Sequence, residues 1–432
     1  MRERRITCWA CALRRVAAQV TLMVRIAMRS ESLTRGADKT AGAMQSLTHA
    51  LKRREALAIP LSIALVSRGV VFAAADLILR WALADRLGPA RYTGAVRAWL
   101  QKDAVWYLAI AQRGYDYSPV AQSRANFFPL YPLLIHIFAP LVAIFPVSNP
   151  AALAGMAIAW LAFAGACVVL YQLALGRFGR RVAIGSVLLL ALFPFSFYYG
   201  AVYTESIYLL LAAWAFLMAE REQWWLAGAL AALASAARPP GLLIGACVAL
   251  AYALDWLRTR HPLRPDILAL ALTPLGAAAY MLYCWARWGD PLAYIKTSHA
   301  GWHGGQLRLS GLRFIAHVLA HPIRWLTPPD LTSAVALLWI ILALAFLVAL
   351  PWVWRLLGPV YTFFALVSIL APILDFPTVN SLGRYLSVVF PVFMAVAYLL
   401  RGHPRVVGWL AVVSGMLLIV FASCFIAGYG LS

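Results

Sequence analysis

Five charged residues stand out in a chain that is otherwise poor in charge, and their chemical types are suited to group transfer. They are Asp103, Glu205, Arg238, Asp290 and Arg384. A carboxylate can act as a general base, and a guanidinium presents a planar fork of donors that matches phosphate oxygens. Charged side chains are costly at membrane depth and usually mark a site or a pathway there. These residue types together suit the movement of a proton beside a phosphate anion.

The composition indicates which class of protein must position these residues. Of the 432 residues, 63% are hydrophobic and 12% are charged, whereas soluble domains have about 25% charged residues. A soluble enzyme is therefore excluded. The formal net charge of +21 is attributed to basic cytoplasmic loops facing anionic headgroups, so a membrane is the predicted partner and nucleic acid is not.

Eleven apolar segments predict an all-α polytopic membrane protein with about eleven transmembrane helices. The segments are 57–84, 150–175, 182–200, 204–219, 224–237, 240–257, 267–286, 331–353, 358–374, 384–400 and 406–428. The fifth segment is short and is either a span or a re-entrant piece. Residues 56–432 form the multispanning domain. Residues 1–55 are predicted to be a basic cytosolic extension, unless the true start is Met28 or Met44.

Short basic connections determine the predicted orientation. Counting the spans along the chain places four of them on the same side of the membrane. The positive-inside rule makes that side cytoplasmic. The loops 85–149 and 287–330 then lie on the extracytoplasmic face, and all five conspicuous charges fall in or near that face. The pattern predicts one polar site that faces outward.

Asp103 is the most informative of these charges. If residues 91–113 form one helix along the membrane surface, one of its faces carries Tyr92, Val96, Trp99, Asp103, Trp106 and Ile110. The apolar stripe of such a helix would contain a carboxylate. That carboxylate is either a general base or only the ion-pair partner of an arginine in the bundle.

Three further motifs are candidates for binding. The segment from Asn126 to Pro132 contains two prolines and predicts a rigid, non-helical aromatic wall, which suits a lipid, a sugar ring or simple interfacial anchoring. Glu205 follows Thr204 at the start of a span, where it could bind acceptor hydroxyls, hold an arginine or act only on the local helix terminus. Arg238 and Arg384 suit either a phosphate or interhelix bridges.

Motifs for metals and nucleotides are weak or missing from the sequence. His299, His303, His317 and His321 form two i, i+4 pairs without an adjacent acid, and Cys8 and Cys11 form an isolated C-x-x-C. No phosphate-binding glycine loop is present in the sequence. We therefore predict no cofactor, although a divalent metal stays possible. We expect the donor of the transferred group to be carried by a lipid.

Six short motifs, taken in order, resemble a known family. They are Asp103 to Ala111 with Gly114 and Tyr115, Phe127 to Pro132, Tyr203 to Ser206, Arg238 to Gly241, Trp288 to Pro291 followed by Trp302, and Gly383 to Leu386. Over about residues 55–400 the chain resembles the PIG-V-type mannosyltransferases and their bacterial relatives, within the multispanning GT-C glycosyltransferases. The resemblance implies a plasma-membrane protein, a mannosyl polyprenyl phosphate donor, transfer with inversion, and Asp103 as the catalytic carboxylate.

The remaining site residues are assigned from their chemistry beside this resemblance. We expect the donor phosphate to contact Arg384, Arg238 and Lys102, although the family usually has tryptophan where this chain has Lys102. We expect the acceptor or sugar to contact Glu205, Tyr203, Trp106, Tyr131 and Asp290. The acceptor is an unidentified glycan, lipid or protein. A transporter or flippase of a lipid-linked sugar and a structural subunit of a glycosylation complex are the alternatives.

Overall fold

The computed structural model describes residues 41–80, 95–260, 262, 264–302, 304, 308–321, 331–376, 379 and 381–429. All regular elements in these ranges are helical. Cys8, Cys11, Met28, Tyr92 and His303 lie outside the described residues.

The α-helices are numbered here in chain order. They are α1 Ala41–Ile78, α2 Ala95–Ala98, α3 Asp103–Arg113, α4 Leu130–Val142, α5 Pro150–Phe178, α6 Arg180–Ala191, α7 Glu205–Glu220, α8 Trp224–Ala237, α9 Gly241–Thr259, α10 Leu275–Trp288, α11 Ala293–Trp302, α12 Ser310–Ala320, α13 Leu331–Leu357, α14 Pro359–Asp375, α15 Leu382–Ser387, α16 Phe390–Leu399 and α17 Pro404–Ile426. Shorter 3-10 helices cover Arg124–Asn126, Ser196–Gly200 and Pro265–Leu272. Helix α1 begins inside the predicted N-terminal extension and continues without interruption into the first apolar segment.

The predicted class, an all-α integral membrane protein, is confirmed, but the number of spanning helices is not. Five described helices are long and apolar enough to cross a bilayer, and the bent pair Pro265–Leu272 and Leu275–Trp288 would make a sixth. The other predicted spans are shorter helices. Helix α6, for example, has only 12 residues, and its residues from Val182 to Ala191 are all buried within the protein. Its apolar sequence therefore reflects protein neighbours, since a full crossing needs about 20 residues.

Helix α5 lies at the centre of the bundle and packs against α1, α4, α6 and α7. Two of its glycines allow close approach: a Cβ added to Gly155 would lie 3.0 Å from Val202, and one added to Gly165 would lie 3.2 Å from Leu210. Small residues at helix contacts are the usual means of tight packing in membranes. This contact fixes the segment before α7, and α7 carries Glu205.

The prediction of a single helix over residues 91–113 is wrong, because the chain breaks between α2 and α3. Lys102 has φ 52° and ψ −116°, and the amide of Ala104 donates to the carbonyl of Gln101 at 3.2 Å. These are the features of a type II′ turn, whose first central position normally requires glycine. Asp103 therefore starts a new helix, and Trp99 is buried separately, stacked on Phe72 at 5.4 Å.

The prediction of a non-helical segment up to Pro132 is also wrong in its second half. Helix α4 begins at Leu130 and includes Tyr131 and Pro132. Proline is tolerated in the first turn of a helix because the amide that it lacks would have no helical partner there.

Candidate active site

Four charged side chains from distant parts of the chain form one connected network. Nη1 of Arg384 donates to Oδ2 of Asp103 at 2.6 Å, and Nε of Arg384 donates to Oε1 of Glu205. The same Glu205 oxygen accepts from Nη1 of Arg238 at 2.8 Å. The order is thus Asp103, Arg384, Glu205, Arg238, and opposite charges alternate along it.

Each member of this network lies at or near the end of a helix. Asp103 is the first residue of α3, Glu205 is the first residue of α7, and Arg238 follows α8 directly. Arg384 lies in the six-residue helix α15. A carboxylate at a helix N-terminus is stabilised by the helix dipole. The network therefore brings together the ends of several helices.

The four side chains differ in exposure to solvent: Glu205 is the least exposed and Asp103 is the most exposed. Glu205 is 0% exposed, Arg384 is 8% and Arg238 is 9% exposed, whereas Asp103 is 23% exposed. Oε2 of Glu205 is buried without a hydrogen-bond partner among the described residues. Asp103 is therefore the member that an incoming molecule can reach most easily, and Glu205 is the internal anchor.

Tyrosine rings hold the two arginines in place. The guanidinium of Arg384 lies 4.6 Å from the ring centroid of Tyr203, and that of Arg238 lies 5.5 Å from Tyr208 and 5.3 Å from Tyr385. Cation–π contacts of this kind stabilise a desolvated cation. Tyr208 and Tyr385 were not predicted from the sequence, although Tyr385 is the direct neighbour of a predicted arginine.

The short helix that carries Arg384 is anchored at its other end. The hydroxyl of Ser387 donates to the carbonyl of Arg384 at 2.6 Å, and the hydroxyl of Tyr199 donates to the carbonyl of Ser387 at 2.8 Å. The carbonyl of Tyr199 accepts a hydrogen bond from Ser206, which follows Glu205. Tyr199 thus joins the two segments that supply the central ion pair.

A buried arginine that the sequence reasoning passed over stabilises the same segment. Arg68 of α1 donates to the carbonyls of Ala191 and Ser196 and to the hydroxyl of Ser196. Its guanidinium also lies 4.9 Å from the ring centroid of Phe163, and that ring stacks on Tyr199 at 4.7 Å. An arginine inside an apolar run is the sequence signal that could have identified this residue.

The glycine before Arg384 is required by packing. A Cβ at Gly383 would lie 2.5 Å from the ring of Phe195 and 2.7 Å from Nε1 of Trp339, which is closer than packed atoms allow. We expect Gly383→Ala to displace Arg384 and to lower sugar transfer at least about tenfold, since small misplacements of a reacting site are costly. Gly402→Ala is the matched control, because nothing lies within 4 Å of its Cβ position. Transfer assays on both purified variants check this, and equal activity would contradict the packing argument.

A second motif glycine has the same type of role near Arg238. A Cβ at Gly241 would overlap the carbonyl of Ala234 in α8. The turn between α8 and α9 is closed by a hydrogen bond from the amide of Gly241 to the carbonyl of Arg238 at 2.8 Å. The close approach explains why the Arg-Pro-Pro-Gly motif ends in glycine.

An aromatic cluster lies next to Asp103 on α3. The ring of Trp106 stacks on Phe127 with centroids 5.9 Å apart and meets Trp302 edge-on at 5.6 Å. Trp106 and Trp302 are partly exposed, whereas Phe127 is buried. This cluster brings together one predicted sugar-binding residue and two members of the motifs quoted above.

Two other predicted sugar-binding residues have internal roles in the structure. Tyr131 is fully buried, and its hydroxyl donates to the carbonyl of Gly155 at 2.9 Å. Tyr203 is fully buried, and its hydroxyl donates to the carbonyl of Gln101 at 3.2 Å. Their hydroxyls are engaged by the backbone, so the structure does not present them to a substrate. Likewise Thr204 makes no side-chain cap and instead contacts the hydroxyl of Tyr107 at 3.3 Å.

Asp290 belongs to a different group of residues from the one predicted. Its carboxylate accepts from the hydroxyl of Tyr117 at 2.6 Å and pairs with Lys296 at 2.7 Å. The hydrogen bond from Lys296, followed by that from Tyr117, holds the pKa of Asp290 below its usual value. The hydrogen bond from Tyr117 joins the first long loop to the second, so Asp290 is a structural link between the loops.

Further contacts join the same two loops. Ser123 is hydrogen-bonded to Thr297 at 3.0 Å, and the side chain of Gln122 donates to the carbonyl of Gly301 at 2.8 Å. Within the first loop, hydrogen bonds from Arg124 hold the pKa of Asp116 below its usual value. The joined loops bring Trp302 against Trp106 beside Asp103.

Lys102 is exposed and makes no ion pair with the described residues. Its strained turn costs about 1–3 kcal/mol in typical cases and places the lysine backbone directly before Asp103.

Among the described residues, no group of three or more His, Cys, Asp or Glu side chains could hold a metal ion.

A family model matches the central part of the chain. Residues 90–264 match the family model described as mannosyltransferase (PIG-V). The predicted resemblance to the PIG-V family is confirmed. The PIG-V match includes Asp103, Glu205 and Arg238, whereas Asp290 and Arg384 lie beyond it. With the apolar helices, the match supports a membrane glycosyltransferase.

Two solved structures that are similar to the chain come from an archaeon. The chain is similar to the Archaeoglobus fulgidus oligosaccharyltransferase tethered with an acceptor peptide, with 15% identity, a TM-score of 0.45, and coverage of 82% of this chain and 55% of that chain. It is also similar to AglB from the same organism in complex with an inhibitory peptide and a dolichol-phosphate, with 16% identity, a TM-score of 0.42, and coverage of 84% and 56%. The chain spans about half the length of these proteins. No curated protein matches the chain.

Proposed function

We propose that the protein is an integral membrane mannosyltransferase, or more broadly a hexosyltransferase, whose donor sugar is carried on a polyprenyl phosphate. The sugar passes to an extracytoplasmic acceptor, and the anomeric configuration is inverted. The observation that carries this proposal is the direct contact between the most accessible acid of the network, Asp103, and an arginine. A base for the acceptor and a cation for the leaving phosphate thus lie side by side.

In the proposed reaction the acceptor hydroxyl oxygen attacks the anomeric carbon while the bond from that carbon to the phosphate oxygen breaks. The proton of the hydroxyl passes to Asp103, and the electron pair of the broken bond stays on the polyprenyl phosphate. Arg384 and Arg238 stabilise the charge that develops there, because preorganised cations act most strongly where charge appears. A single displacement of this kind inverts the sugar carbon.

The surrounding residues have supporting roles in this proposal. Lys102 is an additional exposed cation for the phosphate. Trp106 and Trp302 provide partly exposed rings that can pack against a sugar or a prenyl chain. Glu205 is assigned to the positioning of both arginines, one of the roles that the sequence left open, because it is fully buried and paired with each of them.

The main alternative is a flippase for a lipid-linked sugar. A flippase needs polar groups that are accessible from both sides, usually near the middle of the membrane. The four-residue network lies at helix ends, which favours a site open to one side. A purely structural subunit would not need a base, and the transfer assay distinguishes that alternative as well.

The test is reconstitution of the purified protein in liposomes with radiolabelled mannosyl polyprenyl phosphate and a mixture of membrane glycolipids and glycans. We expect label to move from the lipid donor to an acceptor, and no label to move from nucleotide-linked mannose. Movement of the labelled lipid across the bilayer without transfer would establish the flippase instead. Absence of both activities would overturn the proposal in favour of a structural subunit.

A further inference from the structure

Arg384, which is proposed to bind the donor phosphate, is also hydrogen-bonded to the proposed base, Asp103. Arg384 uses Nη1 on Asp103 and Nε on Glu205. Oδ2 of Asp103 accepts this hydrogen bond at 2.6 Å, so that oxygen faces Arg384 and is not available to the proton of an incoming hydroxyl. The pair as it stands is therefore not yet arranged for deprotonation of an acceptor.

Burial determines which of the two carboxylates can leave Arg384. Glu205 is fully buried and is also held by Arg238, so its removal would strand two cations. Asp103 is 23% exposed, and Arg384 is its only ion-pair partner among the described residues. An anion that reaches Arg384 from outside therefore replaces Asp103 and leaves Glu205 in place.

The geometry points to a donor-controlled exchange: the phosphate of the polyprenyl carrier takes Nη1 of Arg384 from Asp103, and Asp103 becomes free to act as the base. This inference rests on the proposed function. No covalent bond changes in the exchange, and the guanidinium keeps its proton. Phosphate oxygens suit this role because they match the donor fork of arginine.

The charges of the site are consistent with such an exchange. The network itself contains two cations and two anions, so it is neutral before the donor arrives. A sugar phosphodiester adds one negative charge and displaces Asp103 without neutralising it. Lys102, exposed and without an ion pair among the described residues, lies next to Asp103 in the chain and can balance the added charge. The role of Lys102 in this proposal is therefore to offset the negative charge that the donor brings.

The exchange predicts an order of events. The donor must bind before the acceptor can be deprotonated, because only the bound phosphate releases the carboxylate. Since binding and release are coupled, the coupling is reciprocal: the charge of Asp103 must weaken the binding of the phosphate to the same extent. The removal of that charge should therefore tighten phosphate binding while it abolishes transfer.

The test measures binding of a polyprenyl monophosphate to the full-length protein in nanodiscs, for the wild type and Asp103→Asn. We expect the dissociation constant to fall about tenfold in the variant, within the usual range for coupled sites. Unphosphorylated polyprenol should bind equally to both. Asp116→Asn is the matched control, because it removes one acidic charge from the same loop outside the network, and its affinity should equal that of the wild type.

Unchanged or weaker binding by Asp103→Asn would overturn the exchange, as would equal tightening by Asp116→Asn. Asp103→Ser provides the same measurement if the asparagine variant does not fold, and Asp103→Glu, which keeps the charge, should bind as the wild type does. Failure of the proposed function can be distinguished from failure of the exchange. Tighter binding in a protein whose wild type transfers no sugar would retain the exchange and refute the enzyme, whereas transfer without tightening would do the reverse.

Discussion

Asp103→Asn is expected to lower sugar transfer from a polyprenyl phosphate donor by about two to four orders of magnitude, the usual contribution of a general base. Asparagine has nearly the same size and can still contact Arg384, so the fold and the donor site should be retained. It cannot take a proton from the acceptor hydroxyl. The loss should therefore appear in kcat, while the KM for the donor does not rise.

The control for this substitution is Asp76→Asn, an aspartate that pairs with Arg80 near the end of α1. It should transfer sugar at close to the wild-type rate. Initial rates with labelled donor, together with melting temperatures of the three proteins, make the comparison. A variant at position 103 that is stable and transfers at the wild-type rate would eliminate Asp103 as the base.

Glu205→Gln is expected to have the largest effect on stability. The substitution leaves Arg384 and Arg238 buried without their shared counter-ion, and removal of one partner from a buried ion pair typically costs about 3–5 kcal/mol. The displaced Arg384 can also no longer meet a phosphate correctly, so we expect transfer to fall about a hundredfold. Thermal unfolding and transfer assays in the same detergent measure both effects.

The matched control lies on the same helix. Glu220 is at the opposite end of α7, about 22 Å away by helix geometry, where it pairs with Arg177 at 2.6 Å and accepts from Tyr361. Its side chain is 27% exposed, and pairs of this kind contribute about 1 kcal/mol or less. Glu220→Gln should therefore retain its activity. Equal damage from both substitutions would mean that Glu205 has no special role in positioning the arginines.

The sequence was least informative about local backbone breaks. The turn at Lys102 contains neither glycine nor proline, so nothing in the residue types signalled the end of α2 or the start of α3. The periodic pattern of apolar residues through Trp99, Asp103 and Trp106 suggested one continuous helix. In the protein, packing of Trp99 on Phe72 and the strained turn separate these residues. Contacts from other helices thus overrode the local pattern.

The number of membrane-spanning helices also could not be predicted from the sequence. An apolar segment is buried either in lipid or in protein, and hydropathy does not distinguish the two. Helix α6 is apolar because protein surrounds it, whereas α5 is both long enough to cross and central to the bundle. Most apolar segments coincide with helices because apolar character belongs to each segment by itself, but the segments 267–286 and 384–400 are each broken in two.

What the sequence alone determined was the class of the protein, the location of its helices and the chemical types that its site contains, since each of these is a property of a short stretch of chain. What only the tertiary structure decided was which charge meets which. Glu205 holds two arginines, Asp103 contacts Arg384 across 281 positions of sequence, and Asp290 joins the two long loops instead. Such pairings depend on how distant helices pack, and no local pattern encodes that arrangement.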